Sequence, residues 1–321
     1  MPMLSPSLLA AMRCPACGSP LLSDDTQLSC TGCPAAYPVL RGIPVVIDET
    51  RSVFNIADYV RDSQLDTPPP RPSWLRRLRS LTPSIGANWK SAVNYQRYAQ
   101  LITEQHATPR VLVLGGRILG QGSSVLADDE RMELVETDVA LGPRVRLICD
   151  AHDIPFAAAT FDGVVIQAVL EHVCDPVRCV EEIHRVLKPG GLVYAETPFM
   201  QQVHGLAWDF TRFTDLGHRR LFCRFNEIDR GACCGPGMAL AWSIQYFLLS
   251  FSRNARVNGA LRVFSELTTW WLKHLDRFIL DTPGSQDAAS GYYFLGRRSE
   301  ETLTDRELLK LFRGNPGTNQ A

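Results

Sequence analysis

From Arg110 onward the chain alternates short apolar runs with amphipathic stretches of helical period, and this constrains the fold more than any other feature. The strand-like runs are RVLVLGG (110–116), MELVET (132–137), VRLIC (145–149), FDGVVIQAV (161–169), GGLVYAETP (190–198) and SGYYFLG (290–296). The plainest helix between them is DPVRCVEEIHRVLK (175–188), where Val177, Val180, Ile183, Val186 and Leu187 share an apolar face before Pro189 and two glycines end it. Strands separated by crossover helices pair in parallel. The expectation is a doubly wound, mostly parallel, Rossmann-like α/β sheet, whose ligands lie outside the carboxyl ends of its strands.

The first run ends in glycines, VLVLGGRILGQG (111–122). Gly115 and Gly120 have the outer spacing of the phosphate-cradling G-x-x-x-x-G-K-[ST] loop, but Gln121 and Gly122 follow where the lysine and hydroxyl belong. Gly120 and Gly122 begin a dinucleotide-type G-x-G-x-x-G, but Val125 stands where the third glycine belongs. Both phosphate readings fail. Asp138 closes the second strand, about twenty residues on, where an acid accepts from a ribose diol. Asp150 closes the third, placed to accept from an exocyclic amine. A glycine turn and two acids on successive strand ends describe an adenosine ligand without pyrophosphate, and S-adenosylmethionine is such a ligand.

Across about residues 108–199 the pieces VLVLGG, ETDVA, CDAHDIPFAAATFDGVV, VLEHVCDP and EIHRVLKPGGLVYAETP resemble, in order and spacing, the class I S-adenosylmethionine-dependent methyltransferases. The resemblance implies a seven-stranded sheet, here over 110–299 with a helical insertion at about 237–281, and a tail over 300–321. It implies that Gly115 and Gly116 approach the methionine part of the donor. Asp138 would hold the ribose and Asp150 the adenine. Ala151 and His152 would line the adenine pocket, and Gln167 would sit near the sulfonium. Two departures stand out. Val113 replaces an acid, and Arg117 replaces the second spaced glycine. An arginine at a position that needs positive φ costs on the order of 1 kcal/mol. Alternatively its side chain faces outward or reaches the donor carboxylate. Both an active enzyme and a catalytically silent binding protein on this frame stay open.

At the front, CPACGSPLLSDDTQLSCTGC sets Cys14 and Cys17 one hairpin away from Cys30 and Cys33. Each C-x-x-C turn points two thiolates at one ion, so the spacing predicts a tetrahedral zinc ribbon. Four protein ligands close the site, which makes the Zn2+ structural. With the following YPVLRGIPVVI, residues 8–50 resemble the zinc ribbon of the small activator proteins that partner tRNA and protein methyltransferases. Ribbons of this kind also contact RNA. Here Arg13 and Arg41 face Asp24, Asp25, Asp48 and Glu49, a poor phosphate-binding surface.

After the fifth run, TPFMQQVHGLAWDFTRFTDLGHRRLF (197–222) follows a strand end that faces the methyl donor, which makes it the acceptor loop. It resembles the P-F-x-x-x-x-H-x-x-x-x-D-F-x-R-F-T segment of a bacterial methyltransferase subgroup often encoded with glycan and cell-surface polymer genes. His204 or Asp209 would be the base for an oxygen or nitrogen acceptor. Arg212, Trp208 and His218 would bind the acceptor, Arg212 through a phosphate or carboxylate. The plainer alternative pairs Asp209 with Arg212 to fix the loop. Glu171 and His172 look like an acid–base pair, although in the family this segment shapes the pocket lip. The N/D-P-P-Y signature of exocyclic base methylation is absent, since the fourth run ends IQAVLEHV.

Residues 51–109 read as a linker with helix from about Trp89 to Glu104. Within it, TPPPRP (67–72) must be extended, and WLRRLRS (74–80) is a basic amphipathic piece suited to a domain edge, anionic lipid or RNA. GPGMALAWSIQYFLLSF and LRVFSELTTWWLKHLDRFIL read as two helices, with Leu261, Phe264, Leu267, Trp271, Leu275 and Phe278 on one face as core or lid, or else a membrane or oligomer face. A net charge of −1 argues against holding nucleic acid by bulk field. With no secretory signal and no long apolar run, a reducing, cytoplasmic setting is expected. The sequence points to methyl transfer onto a small molecule or a glycan- or lipid-linked intermediate. The alternatives are RNA methylation and a silent binding role. Peripheral membrane contact and oligomeric state stay open.

Overall fold

The computed structural model describes residues 4–24, 26–64, 82–118 and 120–315. TPPPRP, WLRRLRS and the last residues of the tail lie outside them. After a short helix α1 (Pro6–Ala11), four strands form an antiparallel meander: β1 (Leu21–Ser23), β2 (Gln27–Cys30), β3 (Ala36–Leu40) and β4 (Ile43–Val46). Helices α2 (Ile56–Gln64) and α3 (Ser91–Thr103) follow, then β5 (Arg110–Leu114), α4 (Ser124–Ala127), β6 (Glu133–Asp138), β7 (Leu147–Cys149) and β8 (Phe161–Gln167). Next come α5 (Pro176–Val186), β9 (Leu187–Pro198), α6 (Asp215–Leu221), β10 (Phe225–Cys234), three helices α7 (Pro236–Leu249), α8 (Ala255–Thr269) and α9 (Leu272–Ile279), and α10 (Pro283–Ala288). Strand β11 (Gly291–Arg298) and helix α11 (Asp305–Leu309) end the described chain.

All eleven strands belong to one sheet, in the order β1-β2-β3-β4-β7-β6-β5-β8-β9-β11-β10. Strands β5 to β9 pair in parallel, and β11 lies antiparallel between β9 and β10. This is a seven-stranded, mostly parallel α/β sheet with one reversed strand. The front four strands extend it, because β4 pairs in parallel with β7 through Val45–Ile148 and Val46–Cys149. That pairing explains why β4 is buried along its whole length. Ile43, Val45 and Ile47 pack with Tyr59 and Ile148 on one face, while Leu8, Met12, Leu28 and Tyr37 join the same core as Leu112, Ile166 and Val193 on the other. The front segment therefore buries its apolar side chains in the core of the larger sheet.

The sequence reading and the structure differ in four places. Strand β10 was not expected, and its polar residues explain why. Arg230 is buried in a charged network, its guanidinium 3.2 Å from both Asp215 and Glu227, so a polar pattern hides an interior strand. Helix α5 stops at Val186, and Leu187 starts β9, leaving Val177 exposed. The insertion holds three helices where two were read. Its apolar stripe also faces outward. Phe264, Leu267, Trp271, Leu275 and Phe278 are exposed, and the helices meet through a polar seam of Gln245, Ser265 and Asp276. Elsewhere α3 packs Tyr95, Tyr98 and Ile102 against Val165, Leu192 and Tyr194. Tyr98 reaches the sheet because β8 carries Gly163, where a Cβ would lie 2.0 Å from the tyrosine hydroxyl. Among the described residues no helix is long and apolar enough to cross a membrane.

Candidate functional site

The carboxyl ends of β5, β6 and β7 open onto a cavity of about 230 Å3, lined by Gly115, Asp138, Asp150, Ala151 and His152, with Ala168, Val169 and His172 closing its far side. The chain enters this cavity through Gly115, at φ 79°. A Cβ there would lie 2.3 Å from a methyl of Val169, so only glycine fits on both counts. Among the described residues of the loop, the other positive φ falls at Gly122. Arg117 has no such backbone angle, so the strain expected of it does not arise. Its side chain is exposed, and its backbone N–H donates to Asp138 Oδ2 at 3.1 Å.

Asp138 also accepts from the N–H of Ala140 at 2.9 Å, so each oxygen, accepting one backbone N–H, keeps a further lone pair. Burial pushes its carboxyl up, and the Arg117 N–H opposes that shift. Asp150 is deeper. Its Oδ1 accepts from the N–H and from Nδ1 of His152, at 3.0 and 2.5 Å. The other ring nitrogen of His152 accepts from the N–H of Asp175 at 3.0 Å, so the proton must sit on Nδ1. Despite its burial, Asp150 is held below the ordinary carboxylate range by bonds from His152 and Ser52.

Ser52 lies in the segment 51–109, where the sequence alone predicts a linker and no site residue. Its hydroxyl donates to Asp150 Oδ2 at 2.5 Å. Two residues on, Phe54 stacks on Trp208, with ring centroids 5.2 Å apart and planes 11° apart. Both rings line the cavity. A strap from the front segment and the loop after β9 thus meet over the strand ends.

Gly116 and Gln167 face elsewhere. Gly116 packs against Glu136, where a Cβ would come within 2.9 Å of that side chain. Gln167 accepts from the Tyr95 hydroxyl at 3.1 Å and donates to Glu196 Oε2 at 2.6 Å. It lines a second cavity of about 540 Å3 with Asn88, Glu171, Glu196, Gln201 and His204. The two cavities share Gly115 and Ala168 as a common wall.

The loop after β9 corrects three expectations. Asp209 accepts at Oδ2 from the N–H groups of His204 and Gly205, at 2.6 and 3.0 Å, and both its oxygens accept from Arg212. Those bonds hold its carboxyl far below the usual range, so it is no proton acceptor near neutrality. Arg212 spends its remaining donors on the carbonyls of Gln201, Gln202 and Thr211, leaving none for an acceptor phosphate. The pair ties the loop instead. His218 is buried among Phe213, Phe222 and Phe294, away from both cavities, and burial pushes its ring down to about 3. Trp208 belongs to the first cavity rather than the second. Of the base and acceptor-binding candidates on this loop, His204 alone reaches the second cavity. Burial lowers its basicity and keeps it neutral near pH 7. Beneath it Glu171 is fully buried, with its carboxyl pushed up to about 8 by desolvation.

At the front, Cys14 and Cys33 place their sulfurs 3.7 Å apart, and Cys17 and Cys30 theirs 3.4 Å apart. All four sulfurs fall within 4.8 Å of one another, and none is in a disulfide. Four thiolates on one tetrahedral ion at bonds of about 2.3 Å lie ~3.8 Å apart, so the cluster fits such an ion. The N–H of Gly32 points at Cys30 Sγ at 3.3 Å, as a donor to a thiolate does.

The sheet order with its single reversed strand, and a cavity at three successive strand ends, are those of the α/β methyltransferase fold. Residues 117–195 match the family described as a methyltransferase domain. A demethylmenaquinone methyltransferase of Staphylococcus epidermidis is 33% identical over 98 residues, 28% of this chain and 41% of that protein. An uncharacterized methyltransferase of Mycobacterium tuberculosis is 34% identical over 119 residues, 35% of this chain and 44% of that protein. The chain thus spans less than half the length of these relatives. Among solved structures, a putative sarcosine dimethylglycine methyltransferase from Galdieria sulphuraria aligns at a TM-score of 0.42 and 12% identity, covering 71% of this chain and 97% of that one.

Proposed function

We propose that the protein transfers the methyl group of S-adenosylmethionine to an oxygen or nitrogen nucleophile on a small molecule or a glycan- or lipid-linked intermediate. The observation that carries this reading is the pair of cavities meeting at Gly115 and Ala168. In-line displacement at a sulfonium needs donor and acceptor on opposite sides of one carbon, and alignment supplies most of the rate. In this reading Asp138 accepts from the ribose hydroxyls, and Asp150 accepts from the adenine amine with the lone pair Ser52 leaves free. Ala151 and His152 form the adenine wall, and Gly115 lets the backbone approach the methionine part. Phe54 and Trp208 cover the donor. The acceptor occupies the second cavity, where His204 activates it. Nucleophile–carbon bond formation accompanies sulfur–carbon cleavage, and S-adenosylhomocysteine leaves.

The four cysteines hold Zn2+ in this reading, and the ion's work is to fix the two turns that brace β1 to β4. A lipid-linked acceptor is favoured by the outward apolar face of α7 to α9. Trp270, Trp271 and Phe278 are exposed there, and the exposed Arg253, Arg256, Arg262 and Arg277 suit anionic head groups.

Calorimetric titration of the zinc-loaded protein with S-adenosylmethionine and S-adenosylhomocysteine tests the donor site. Micromolar binding that disappears in Asp138→Ala, with the fold intact, is the expected result; unchanged affinity in the variant would overturn the assignment. Co-sedimentation with vesicles containing anionic lipid, absent with neutral vesicles, tests the apolar face. Elemental analysis tests zinc.

A further inference from the structure

Glu171, His172 and His204 bring one carboxylate and two imidazoles together at the seam between the two cavities. Glu171 Oε1 lies 3.7 Å from His172 Nε2 and 3.8 Å from His204 Nε2, too far for hydrogen bonds. Neither Glu171 oxygen has a hydrogen-bond partner, although the side chain is almost wholly buried. Unpaired buried carboxylate oxygens are costly, so the group calls for a counterpart.

The two rings meet their outer partners through Nδ1. His172 Nδ1 faces the carbonyl of Trp208 at 2.7 Å, and His204 Nδ1 faces the carbonyl of Gln202 at 3.2 Å. A carbonyl only accepts, so His172 Nδ1 carries a proton and leaves Nε2 to face Glu171; His204 Nδ1 lies between the Gln202 carbonyl and, at 3.5 Å, a guanidinium nitrogen of Arg212, with its Nε2 likewise toward Glu171. The carboxyl group and two ring nitrogens therefore converge without a hydrogen bond between them. This is also how metal-bound histidines are oriented, with the far nitrogen held by a carbonyl.

The backbone is built to bring the groups together. The residue after His204 is Gly205, where a Cβ would lie 2.5 Å from two atoms of the His172 ring. The N–H groups of Phe210 and Thr211 hold the carbonyl of Glu171 at 2.8 and 3.3 Å, clamping the loop over the carboxylate. The Asp209–Arg212 pair, unavailable for chemistry of its own, fixes the turn that carries His204.

We propose that Glu171, His172 and His204 form a second metal site, separate from the four-thiol cluster, that binds a divalent first-row transition ion. Two imidazoles and one carboxylate suit Zn2+, Fe2+ or Co2+ over the hard cations that prefer oxygen alone. Ligand atoms on one tetrahedral ion at bonds of about 2.1 Å lie ~3.4 Å apart, and the separations of Glu171 from the two rings, 3.7 and 3.8 Å, are close to that. Three protein ligands leave a coordination position open, and His204 at the rim gives an ion access from solvent. Glu171 and His204 line the proposed acceptor cavity. An acceptor hydroxyl taking the open position would lose its proton to water more readily, and the resulting alkoxide oxygen would attack the donor methyl carbon as its bond to sulfur breaks. That role rests on the methyl-transfer reading; the metal site itself does not.

The test starts from full-length protein whose four-thiol cluster is already filled with zinc. It is titrated with Co2+ by calorimetry and visible absorption, and in parallel with S-adenosylhomocysteine. One further equivalent of cobalt is expected, with ligand-field bands and no thiolate charge-transfer band. Glu171→Gln and His204→Asn should each lose it while keeping the thermal melt and S-adenosylhomocysteine binding. No second equivalent, or one that survives both substitutions, overturns the metal site. Cobalt binding without S-adenosylhomocysteine binding would uphold the metal site and remove the donor reading; the reverse result would do the opposite.

Discussion

The stack of Phe54 on Trp208 predicts a measurable coupling between two parts of the chain that lie more than 150 residues apart. Phe54 follows the last ribbon strand, and Trp208 sits on the loop after β9; both rings line the proposed donor cavity. Removing either ring takes away apolar contact with the donor and the stack itself. A stacked aromatic pair contributes about 0.5–1.5 kcal/mol beyond its area. Partial burial of one ring contributes ~1 kcal/mol more. Phe54→Ala and Trp208→Ala should therefore each weaken S-adenosylhomocysteine binding by roughly 12- to 60-fold, at 1.4 kcal/mol per tenfold. The stack is lost only once, so the double variant should fall short of the product of the two by about 2- to 13-fold, the stacking energy converted at the same rate. Calorimetry on the four proteins of this cycle measures the difference. Strictly additive losses, or no loss in either single variant, would show that the two rings do not close over the bound donor, and would refute the strap.

His218 should make the protein acid-labile. Its ring is neutral when folded, with a value near 3, and titrates near 6.5 when unfolded, so the unfolded state binds the extra proton between those limits. Stability is full above pH 6.5 and falls with pH by about 1.4 kcal/mol per unit, or ~2 kcal/mol from pH 7 to 5. Urea melts of His218→Leu should lack that share of the loss; parallel curves for both proteins would contradict it. Gly115→Ala meets Val169 and an unsuited φ together, which should cost ~2–4 kcal/mol, read as a lowered urea midpoint with donor binding lost at sub-denaturing temperature. Chelating the zinc proposed at the four cysteines should weaken S-adenosylhomocysteine binding, since Ser52 and Phe54 lie within eight residues of the end of β4; calorimetry before and after chelation reads the change, and an unaltered affinity would separate the strap from the four-cysteine segment.

The parts of the site that sequence exposes are those set by strand ends. Asp138 and Asp150 each terminate an apolar run, and a run's end is a place in a parallel sheet. Nothing comparable marks Ser52 or Phe54, which lie in a segment without period and reach the cavity only because β4 joins β7. Asp209 shows a related gap. Its residue type suits a base, but only coordinates reveal that four donors occupy its oxygens. Strand β10 escaped because Asn226, Glu227, Asp229 and Arg230 read as surface, whereas Arg230 and Glu227 pair with Asp215 and Arg219 inside. In α8 and α9 the period of Phe264, Leu267, Trp271, Leu275 and Phe278 identifies a face but not its direction. The seam of Gln245, Ser265 and Asp276 turns that face outward.

The pairing of β4 with β7 carries a consequence for how the chain stays in solution. A parallel sheet that stops at β7 would present a row of free backbone groups on an apolar strand, the kind of margin on which other chains assemble. Here the margin passes outward through β4, β3 and β2 to β1, which is three residues long and mostly exposed. So short a strand offers little to copy. Stripping the four-thiol cluster would loosen this hem and bare β7. With zinc on the four thiols as proposed, metal-starved protein should then be lost first to clumping, with scarcity registered as insolubility before it is registered as slow turnover.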